Sequence, residues 1–409
     1  MRPKLILMVL FRPGNISSQS LQDNWKKVGR GWGHSLHRIC SRTGSFPPPL
    51  AHYFVARYSD PGQVVLDPFS GRGTVPLEAC ATGRIGIGSD VAPEAFVLTH
   101  AKVKPLSLGL VKKAIAGLRS EMDGSKFDVR KVDPKIRVFF HPDTLKQVLW
   151  IREALAERNS QTGLFLKALI CGILHGSSTS SLSVPCSHAF SMTPSYLKRY
   201  CERHGLRRTR KEVLLCLEAK ANSSLADPLP FQQGTALMTD ARKLSIDDES
   251  VDMIFTSPPY FEKQTYARDN WLRLWFLGYD HNEVKKWQMR TASRDTFLEF
   301  MNQCMQEMYR VLRDDSACFI VLGDVAHGDH SIKTANLLGK VALKTGFRVC
   351  RVITDTVPKS RKYFMFIPSS QGVRTDRILE LHKGRVRERA RHLEWSDPYC
   401  GYLKSRPVR

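Results

Sequence analysis

Short apolar runs that stop abruptly at turn-forming residues recur along this chain, and this pattern predicts the buried strands of a sheet. Val64–Leu66 runs into Asp-Pro-Phe, Ile85–Gly88 leads to Asp90, and Val251–Phe255 runs into Thr-Ser-Pro-Pro. Helical periodicity at Val75–Thr82 separates the first two runs. A strand, a helix and a second strand at this spacing are typical of a parallel sheet.

The same patterns predict the remaining elements of the sheet. The prolines after Phe46 predict a helix start, because a fixed φ and a missing N–H are tolerated there. We also predict a helix at Phe297–Leu312 and strands at Ala236–Met238, Ala317–Leu322, Arg348–Ile353 and Tyr363–Ile367. The last two strands are expected to pair antiparallel. This alternation indicates an α/β fold, a Rossmann-like sheet with helices on both faces.

The middle of the chain has a different periodicity. From about Val111 to Leu229 apolar residues recur at helical spacing, interrupted by Ser177–Ser183, which we expect to form a polar loop. We therefore divide the chain into an N-terminal extension (1–34), the first half of a core (35–110), a helical insertion (111–230), the second half of the core (231–370) and a basic C-terminal tail (371–409).

Composition narrows the class of protein. The chain has 409 residues, of which 42% are hydrophobic and 25% charged, as in an ordinary globular protein of roughly two or three domains. No apolar run approaches the ~18 residues that span a bilayer, and Leu5–Phe11 is too short for a signal peptide. The ten cysteines include no Cys-x-x-Cys pair. We therefore expect reduced thiols, a cytoplasmic location and no metal site.

The charge points to a polyanionic partner. Lys and Arg number 62 against 39 Asp and Glu, giving a formal net charge of +23. An excess of this size favours nucleic acid, because binding it releases condensed counterions. The alternative is a basic protein that charge repulsion keeps in solution.

Two motifs follow the predicted strands and carry a resemblance. Asp67-Pro68-Phe69-Ser70-Gly71-Arg72-Gly73-Thr74 and Thr256-Ser257-Pro258-Pro259-Tyr260-Phe261 together resemble the amino-methyltransferases of DNA, most closely the cytosine-N(4)-specific branch. Since ligands of open α/β sheets bind at the carboxyl ends of strands, both motifs are expected at one crevice. The resemblance covers about 35–106 and 231–369, which makes 35–110 the cofactor half and 231–370 the catalytic half of a methyltransferase.

The resemblance implies a cofactor, a substrate and a set of residues. The cofactor would be S-adenosyl-L-methionine and the substrate double-stranded DNA, with a restriction endonuclease of the same specificity as a partner. The cofactor-binding residues would be Phe46 beside the methionine part, Asp67 facing the amino group, Phe69 near the adenine, Gly71, Gly73 and Thr74 in the turn, Asp90 on the ribose and Asp240 at the adenine amino group.

The residues themselves support part of that set. Gly71 and Gly73 let the backbone turn tightly and approach a ligand. Asp90 ends the next strand, where a carboxylate can accept both ribose hydroxyls; the less favoured alternative is a cap for the helix that follows. A nicotinamide dinucleotide is the rival cofactor, but it prefers Gly-x-Gly-x-x-Gly, and here the third residue after Gly73 is Pro76.

The second motif suits transfer to an amino group. Acceptors aimed at the two N–H bonds of an exocyclic amino group would stabilise the charge that arrives with the methyl group. The Ser257 hydroxyl and the Pro258 carbonyl are the expected acceptors, while Pro258 and Pro259 stiffen the loop. Tyr260 offers a face on which an extruded base would stack. These four residues form the predicted catalytic set.

Sequence recognition is expected from the insertion. Arg207, Arg208 and Arg210 form its densest positive cluster and are predicted to contact DNA phosphates, with a solvated helix end as the alternative. Base reading is expected from Ser177–Ser183 or Ser191–Tyr196.

Three other functions stay open. Adenine-N(6) transfer uses the same chemistry, an RNA guanine-N(2) methyltransferase has a similar fold, and a DNA-binding protein with a decayed core would keep the charge.

Pro185-Cys186 resembles the nucleophile of carbon-5 cytosine methyltransferases, but no predicted strand precedes it, so a structural cysteine is expected.

Overall fold

The computed structural model describes residues 32–41, 45–123, 127–186, 193–259, 266–288, 293–323, 325–327, 330–332, 334–356 and 375–385. The strands are β1 Val64–Asp67, β2 Ile85–Ser89, β3 Thr235–Leu237, β4 Val251–Thr256, β5 Leu312–Gly323, β6 Val325–His327, β7 His330–Ile332, β8 Arg348–Thr356 and β9 Thr375–Lys383. The helices are α1 Pro48–Tyr58, α2 Thr74–Ala81, α3 Pro93–Val103, α4 Leu108–Glu121, α5 Pro134–Arg137, α6 Pro142–Leu155, α7 Gln161–Ile173, α8 Pro194–His204, α9 Val213–Ser224, α10 Tyr266–Asp269, α11 Trp271–Leu277, α12 His281–Trp287, α13 Arg294–Val311 and α14 Thr334–Lys344.

The main sheet has the strand order β3-β2-β1-β4-β5-β9-β8. All its neighbouring strands are parallel except β9, which runs antiparallel to β5 and to β8. The chain leaves β1 towards β2 on one side and returns to β4 on the other. The order of strands therefore reverses between β1 and β4, and a crevice is expected at their carboxyl ends.

Alternate residues of the strands face two separate cores. Val65 and Phe319 pack with Phe54 of α1 on one face, while Ile254 packs with Met301 of α13 on the other. The predicted α/β fold, a Rossmann-like sheet with helices on both faces, is confirmed. The local patterns at β1, α2, β2, β4 and α13 also predicted each of these elements to within a few residues.

The end of the sheet differs from the prediction. Residues Tyr363–Ile367 lie outside the described part of the chain, and the strand that pairs antiparallel with β8 is β9. The prediction of a basic tail from residue 371 onward is therefore wrong for residues 375–383. Ile378, Leu379 and Leu381 of this strand are fully buried, but the basic residues around them gave the segment the composition of a tail.

The helices of the middle region form a layer that shares a core with the sheet domain. Buried residues of α4, α6, α7 and α9 pack in one cluster with Leu98 and Ala101 of α3. The Ser177–Ser183 segment is only partly the polar loop that we expected, because Ser181, Leu182 and Ser183 are buried. In the described residues no helix is both long and apolar enough to cross a membrane. The five-part division of the chain stays a prediction apart from the correction at β9.

Candidate active site

A cavity of about 230 Å³ lies where β1 and β4 end. It brings together most of the residues predicted to bind cofactor or to act in catalysis. The predicted residues that line it are Phe46, Asp67, Phe69, Gly71, Thr74, Asp90, Asp240, Ser257 and Pro259.

The other predicted residues lie elsewhere. Gly73 and Pro258 are not lining residues of the cavity, and Pro258 is buried between Ser257 and Pro259, which are. Tyr260 lies outside the described residues. The Arg207–Arg210 cluster is exposed on the helical layer and does not line the cavity.

A hydrogen bond joins the two motifs directly. The hydroxyl of Thr256 donates to Oδ1 of Asp67 at 2.6 Å, and the same oxygen accepts the N–H of Phe69 at 3.1 Å. Both Thr256 and Asp67 are buried, at 0% and 2% exposure. The bond is possible because β1 and β4 are parallel neighbours in register, Leu66 opposite Ile254. It fixes one carboxylate oxygen at the wall of the cavity.

The surroundings of Asp67 alter its acidity. Burial raises the pKa of Asp67 to about 7, although the hydrogen bonds from Thr256 and Phe69 act in the opposite direction. The negative charge of Asp90 adds to the increase. A cationic ligand at this position would favour the ionised form.

The glycine turn is held by Asp90 from the next strand. Gly71 N–H donates to Asp90 Oδ2 and Ala92 N–H to Oδ1, each at 2.9 Å. Asp90 thus orders both the turn and the start of α3 while it lines the cavity, which combines its two expected roles. Gly73 has φ 71°, and a Cβ there would lie 2.9 Å from the backbone of Thr99. Only glycine suits that position.

A buried polar cluster is centred on α2, the helix that follows the glycine turn. Glu78 of α2 is fully buried, with Oε1 2.6 Å from His37 Nε2 and Oε2 3.0 Å from His52 Nδ1. Burial lowers the pKa of His37 to about 4. Burial opposes ionisation of Glu78, but hydrogen bonds from the two histidines lower its pKa to about 2. Lys102 Nζ donates to the carbonyl of Arg72 at 2.6 Å, inside the turn itself.

Asp240 lines the cavity from the end of β3. Arg242 donates to both of its oxygens, with Nη2 2.6 Å from Oδ2. Burial raises the pKa of Asp240, but these hydrogen bonds outweigh it, so the pKa lies below its usual value. Arg242 also lies over the ring of Phe300, which is 6.1 Å from the ring of Phe69. This wall is therefore both aromatic and charged.

A further part of the lining was not among the residues predicted to bind cofactor or to act in catalysis, although the run 264–278, which includes Tyr266, could be expected to line a DNA cleft or to form helix core. It is formed by Tyr266 and by residues in or next to α12, namely Asn282, Lys285, Lys286, Trp287 and Gln288. Trp287 is 45% exposed and stacks edge-on against Tyr279. Helix α12 has only seven residues, too short to show clear periodicity. The sequence signal for this helix was a tryptophan, Trp287, directly after two lysines, Lys285 and Lys286.

The residues of the cavity fit S-adenosyl-L-methionine. Three carboxylates, Asp67, Asp90 and Asp240, and the rings of Phe46, Phe69 and Phe300 line one space. This set suits a ligand with cationic centres, ribose hydroxyls and a purine ring.

Two other groups of residues bear on alternative chemistry. Cys186 is 2% exposed and packs in the core of the helical layer, as expected of a structural cysteine. In the described residues, Cys350, Glu380 and His382 have ligand atoms within 4.8 Å of one another. Glu380 is already bonded to Arg351 at 2.6 Å and to His382 at 3.1 Å. Its carboxylate therefore has protein partners, and we assign no metal to it.

Comparison with known proteins gives the family. A profile of the DNA methylase family of N6 and N4 methyltransferases matches residues 12–100 and 251–388, together more than half of the chain. The type II methyltransferase M.MjaII of Methanocaldococcus jannaschii is 30% identical over 80 residues. That match spans 20% of this chain and 15% of the relative.

Solved structures show more distant likeness. A protein described as a DNA modification methylase from Thermus thermophilus, complexed with S-adenosyl-L-methionine, is 20% identical over 36% of this chain and 53% of that chain, with a TM-score of 0.25. A SAM-dependent methyltransferase from Methanosarcina mazei is 9% identical over 81% of this chain and 97% of that one, with a TM-score of 0.34. These scores carry no argument about function, and the assignment rests on the profile. The chain therefore belongs to the DNA methylase family, a family of S-adenosyl-L-methionine-dependent methyltransferases.

Proposed function

We propose that this protein methylates an exocyclic amino group of a base in double-stranded DNA, with cytosine N(4) as the acceptor and S-adenosyl-L-methionine as the donor. The observation that carries the proposal is the position of Ser257. It lines the same cavity as Asp67 and Asp90, and it follows Thr256, which is bonded to Asp67. The residue expected to act on the acceptor thus adjoins the residues expected to hold the donor.

The chain's own groups account for the chemistry as follows. When bound, S-adenosyl-L-methionine would supply a methyl group whose bond to sulfur breaks as the bond to nitrogen forms, and the methylated nitrogen would then lose one proton to water. The hydroxyl of Ser257 accepts a hydrogen bond from the amino group of the base, and the Pro258 carbonyl is the second acceptor. Positive charge grows on that nitrogen during transfer, so these acceptors stabilise the transition state more than the ground state. Asp67 and Asp90 position the donor, and Phe46 and Phe69 keep water from its apolar parts.

The choice of base rests on one residue of the motif. Serine in Thr-Ser-Pro-Pro resembles the cytosine-N(4) branch, whereas adenine-N(6) transfer is the alternative with the same mechanism. A role in a restriction–modification system, with an endonuclease that cuts the same site, belongs to the proposal as well. The basic surface and the net charge of +23 support DNA as the partner.

The proposal is tested by analysing nucleosides from DNA after incubation with the purified protein and S-adenosyl-L-methionine. We expect N(4)-methylcytosine by mass spectrometry. N(6)-methyladenine alone would contradict the cytosine assignment and leave the mechanism in place. Absence of both, with methylation of RNA instead, would overturn the substrate.

The role of Ser257 has its own prediction. Ser257→Ala should lower the rate of methyl transfer about 10²-fold or more, as when one donor or acceptor of a transition-state site is removed, while donor affinity measured by calorimetry stays within about twofold. Ser223→Ala, at an exposed serine on α9, is the matched control and should leave both quantities unchanged. Wild-type turnover in Ser257→Ala would remove Ser257 from the catalytic set.

A further inference from the structure

Helix α8 stands at the surface of the helical layer with almost no core of its own. Of its eleven residues, only Leu197 is buried. The helix ends at Gly205, which has φ 62° in the left-handed region and returns an N–H to Cys201. Tyr196, Tyr200 and Cys201 are half-buried and pack against the core of the helical layer. The side of the helix that carries Arg199 and Arg203 is exposed, and this exposed charge needs another explanation.

A half-buried aromatic stripe lies beside this exposed basic stripe. Tyr196 and Tyr200 stack at 6.0 Å with an angle of 17°, and His204 continues the stack at 4.1 Å from Tyr200. Arg199 and Arg203 are exposed and have the same four-residue spacing, which places them on the adjacent stripe of the helix. Flat rings next to guanidinium groups are a combination that suits nucleic acid rather than solvent alone.

The basic surface continues into the loop after the helix. Arg207 and Arg208 are exposed, and Arg208 Nη1 donates to the carbonyl of Arg137 at 2.8 Å. Arg210 is partly neutralised by Glu212, with 2.9 Å between Nη2 and Oε1. The loop is therefore anchored to the layer and presents its charge in a fixed place.

A continuous set of contacts joins this loop to the wall of the cavity. Arg208 also reaches the carbonyl of Phe140, and the ring of Phe139 lies 5.7 Å from that of Trp271 in α11. Trp271 in turn lies 6.4 Å from His281, the first residue of α12. Residues of helix α12 line the cavity. Because Phe139 is fully buried, these contacts run through the core of the layer and hold the basic loop in a fixed position relative to α12.

We propose that α8 is the helix that reads the DNA sequence, lying in the major groove with Arg199 and Arg203 on base edges and Arg207 and Arg208 on the flanking phosphates. This inference rests on the proposed function. A helix of this length spans about 16 Å and fits a groove about 12 Å wide. The arginine fork pairs with guanine through two hydrogen bonds, which phosphate contacts alone do not replace. The serine-rich segment, being half-buried, offers less surface for the same task.

The test compares a variant of α8 that keeps its charge with a control variant on α14, both in the full-length protein. Wild type, Arg199→Lys/Arg203→Lys and the control Lys340→Gln/Lys344→Gln, two exposed lysines of α14, are expressed in a host that lacks its own DNA methylation. The methylated motif is read by sequencing that detects modified bases. The salt dependence of DNA binding is measured on the purified proteins.

The double lysine variant keeps its charge and loses the guanidinium forks. We expect its motif to broaden at one or more positions, with discrimination there reduced about 10-fold or more, while the slope of affinity against salt stays as in wild type. The control should keep the motif. An unchanged motif in Arg199→Lys/Arg203→Lys, with methylation intact, would overturn the role of α8 alone. A wild-type protein that methylates no DNA would overturn the proposed function and this inference together.

Discussion

Thr256 connects the two sequence motifs of the cavity by a hydrogen bond. Its hydroxyl reaches Asp67 at 2.6 Å, and the next residue is Ser257. The sequence predicted that Asp67 and Ser257 share a crevice, because both follow buried strands. It did not predict the bond from Thr256, because that depends on which residues of β1 and β4 stand side by side, and local patterns carry no register between distant strands.

Removal of this hydroxyl should change how donor binding depends on pH. Burial raises the pKa of Asp67 to about 7, so below that pH the carboxyl holds a proton that a cationic donor must displace, and affinity falls as the pH falls. The bond from Thr256 lowers this pKa. In Thr256→Val the pKa should rise, and affinity at pH 7 should weaken about tenfold or more, with the fall displaced to higher pH.

Calorimetry with S-adenosyl-L-methionine between pH 5.5 and 7 measures this, because the donor's own amino group stays largely protonated there. Thr256→Ser keeps the hydroxyl and should follow the wild type. If Thr256→Val binds donor with the affinity and pH profile of the wild type, the bond has no positioning role.

Among the secondary-structure elements, those with a complete local signal were predicted and those without one were not. Helix α1 has prolines at its start, β1 is an apolar run up to Asp67, and β4 is apolar from Met253 to Phe255. Strand β9 has basic neighbours that mask its apolar residues, and α12 is too short to be periodic. The cluster of Glu78, His37 and His52 joins three elements. It could not be predicted because its members lie 41 and 26 residues from one another along the chain.

This cluster should make the fold sensitive to acid. Burial lowers the pKa of His37 to about 4, below its value of about 6.5 in an unfolded chain. As the pH falls, His37 is therefore protonated in the unfolded state before it is protonated in the folded state. Its contribution to the free energy of unfolding is complete above pH 6.5 and is lost as the pH falls towards 4. The loss from this group should be about 3 kcal/mol. Glu78, whose pKa is also lowered, adds a further loss below about pH 4.5.

Denaturant unfolding at several pH values between 7 and 4.5 tests this expectation. His37→Gln keeps a donor towards Glu78 and has no proton to gain, so its free energy of unfolding should vary less with pH than that of the wild type. His204→Gln, at an exposed histidine of α8, is the control and should retain the wild-type dependence. If the free energy of unfolding of His37→Gln varied with pH as steeply as that of the wild type, His37 would not be the source of the acid sensitivity.

Across the whole molecule, charge was the most informative property of the sequence. A net charge of +23 predicted a polyanionic partner, and the family profile agrees with DNA. Composition could not say which arginines are available. Arg208 is anchored by backbone carbonyls and keeps its net charge, whereas Arg210 is paired with Glu212, and only the packing of the layer determines this difference. The predicted division into core halves and an insertion likewise did not indicate that the insertion and the first half of the core share one hydrophobic cluster.

Neutralising the basic loop should weaken DNA binding without regard to sequence. Arg207→Gln/Arg208→Gln/Arg210→Gln should lower affinity for all duplexes alike and reduce the slope of log affinity against log salt by roughly 2, not the roughly 3 of independent phosphate contacts, because Arg210 is already paired. Fluorescence anisotropy at several salt concentrations measures both. Lys340→Gln/Lys344→Gln/Arg348→Gln removes the same charge from exposed positions elsewhere and serves as the control. An unaltered slope in the loop variant would place the phosphate contacts on another surface.

The position of β9 also constrains the order in which the protein can assemble. This strand is synthesised after β8 yet lies between β5 and β8, pairing with β5 from Ser316 opposite Lys383 to Gly323 opposite Asp376. A growing chain that has reached residue 374 therefore has β5 complete with one edge unpaired, and such an edge is a template for strands of other chains. Until Lys383 has been added, the edge of β5 lacks part of its partner strand β9. The nascent protein must therefore shield this edge from other chains or complete β9 rapidly.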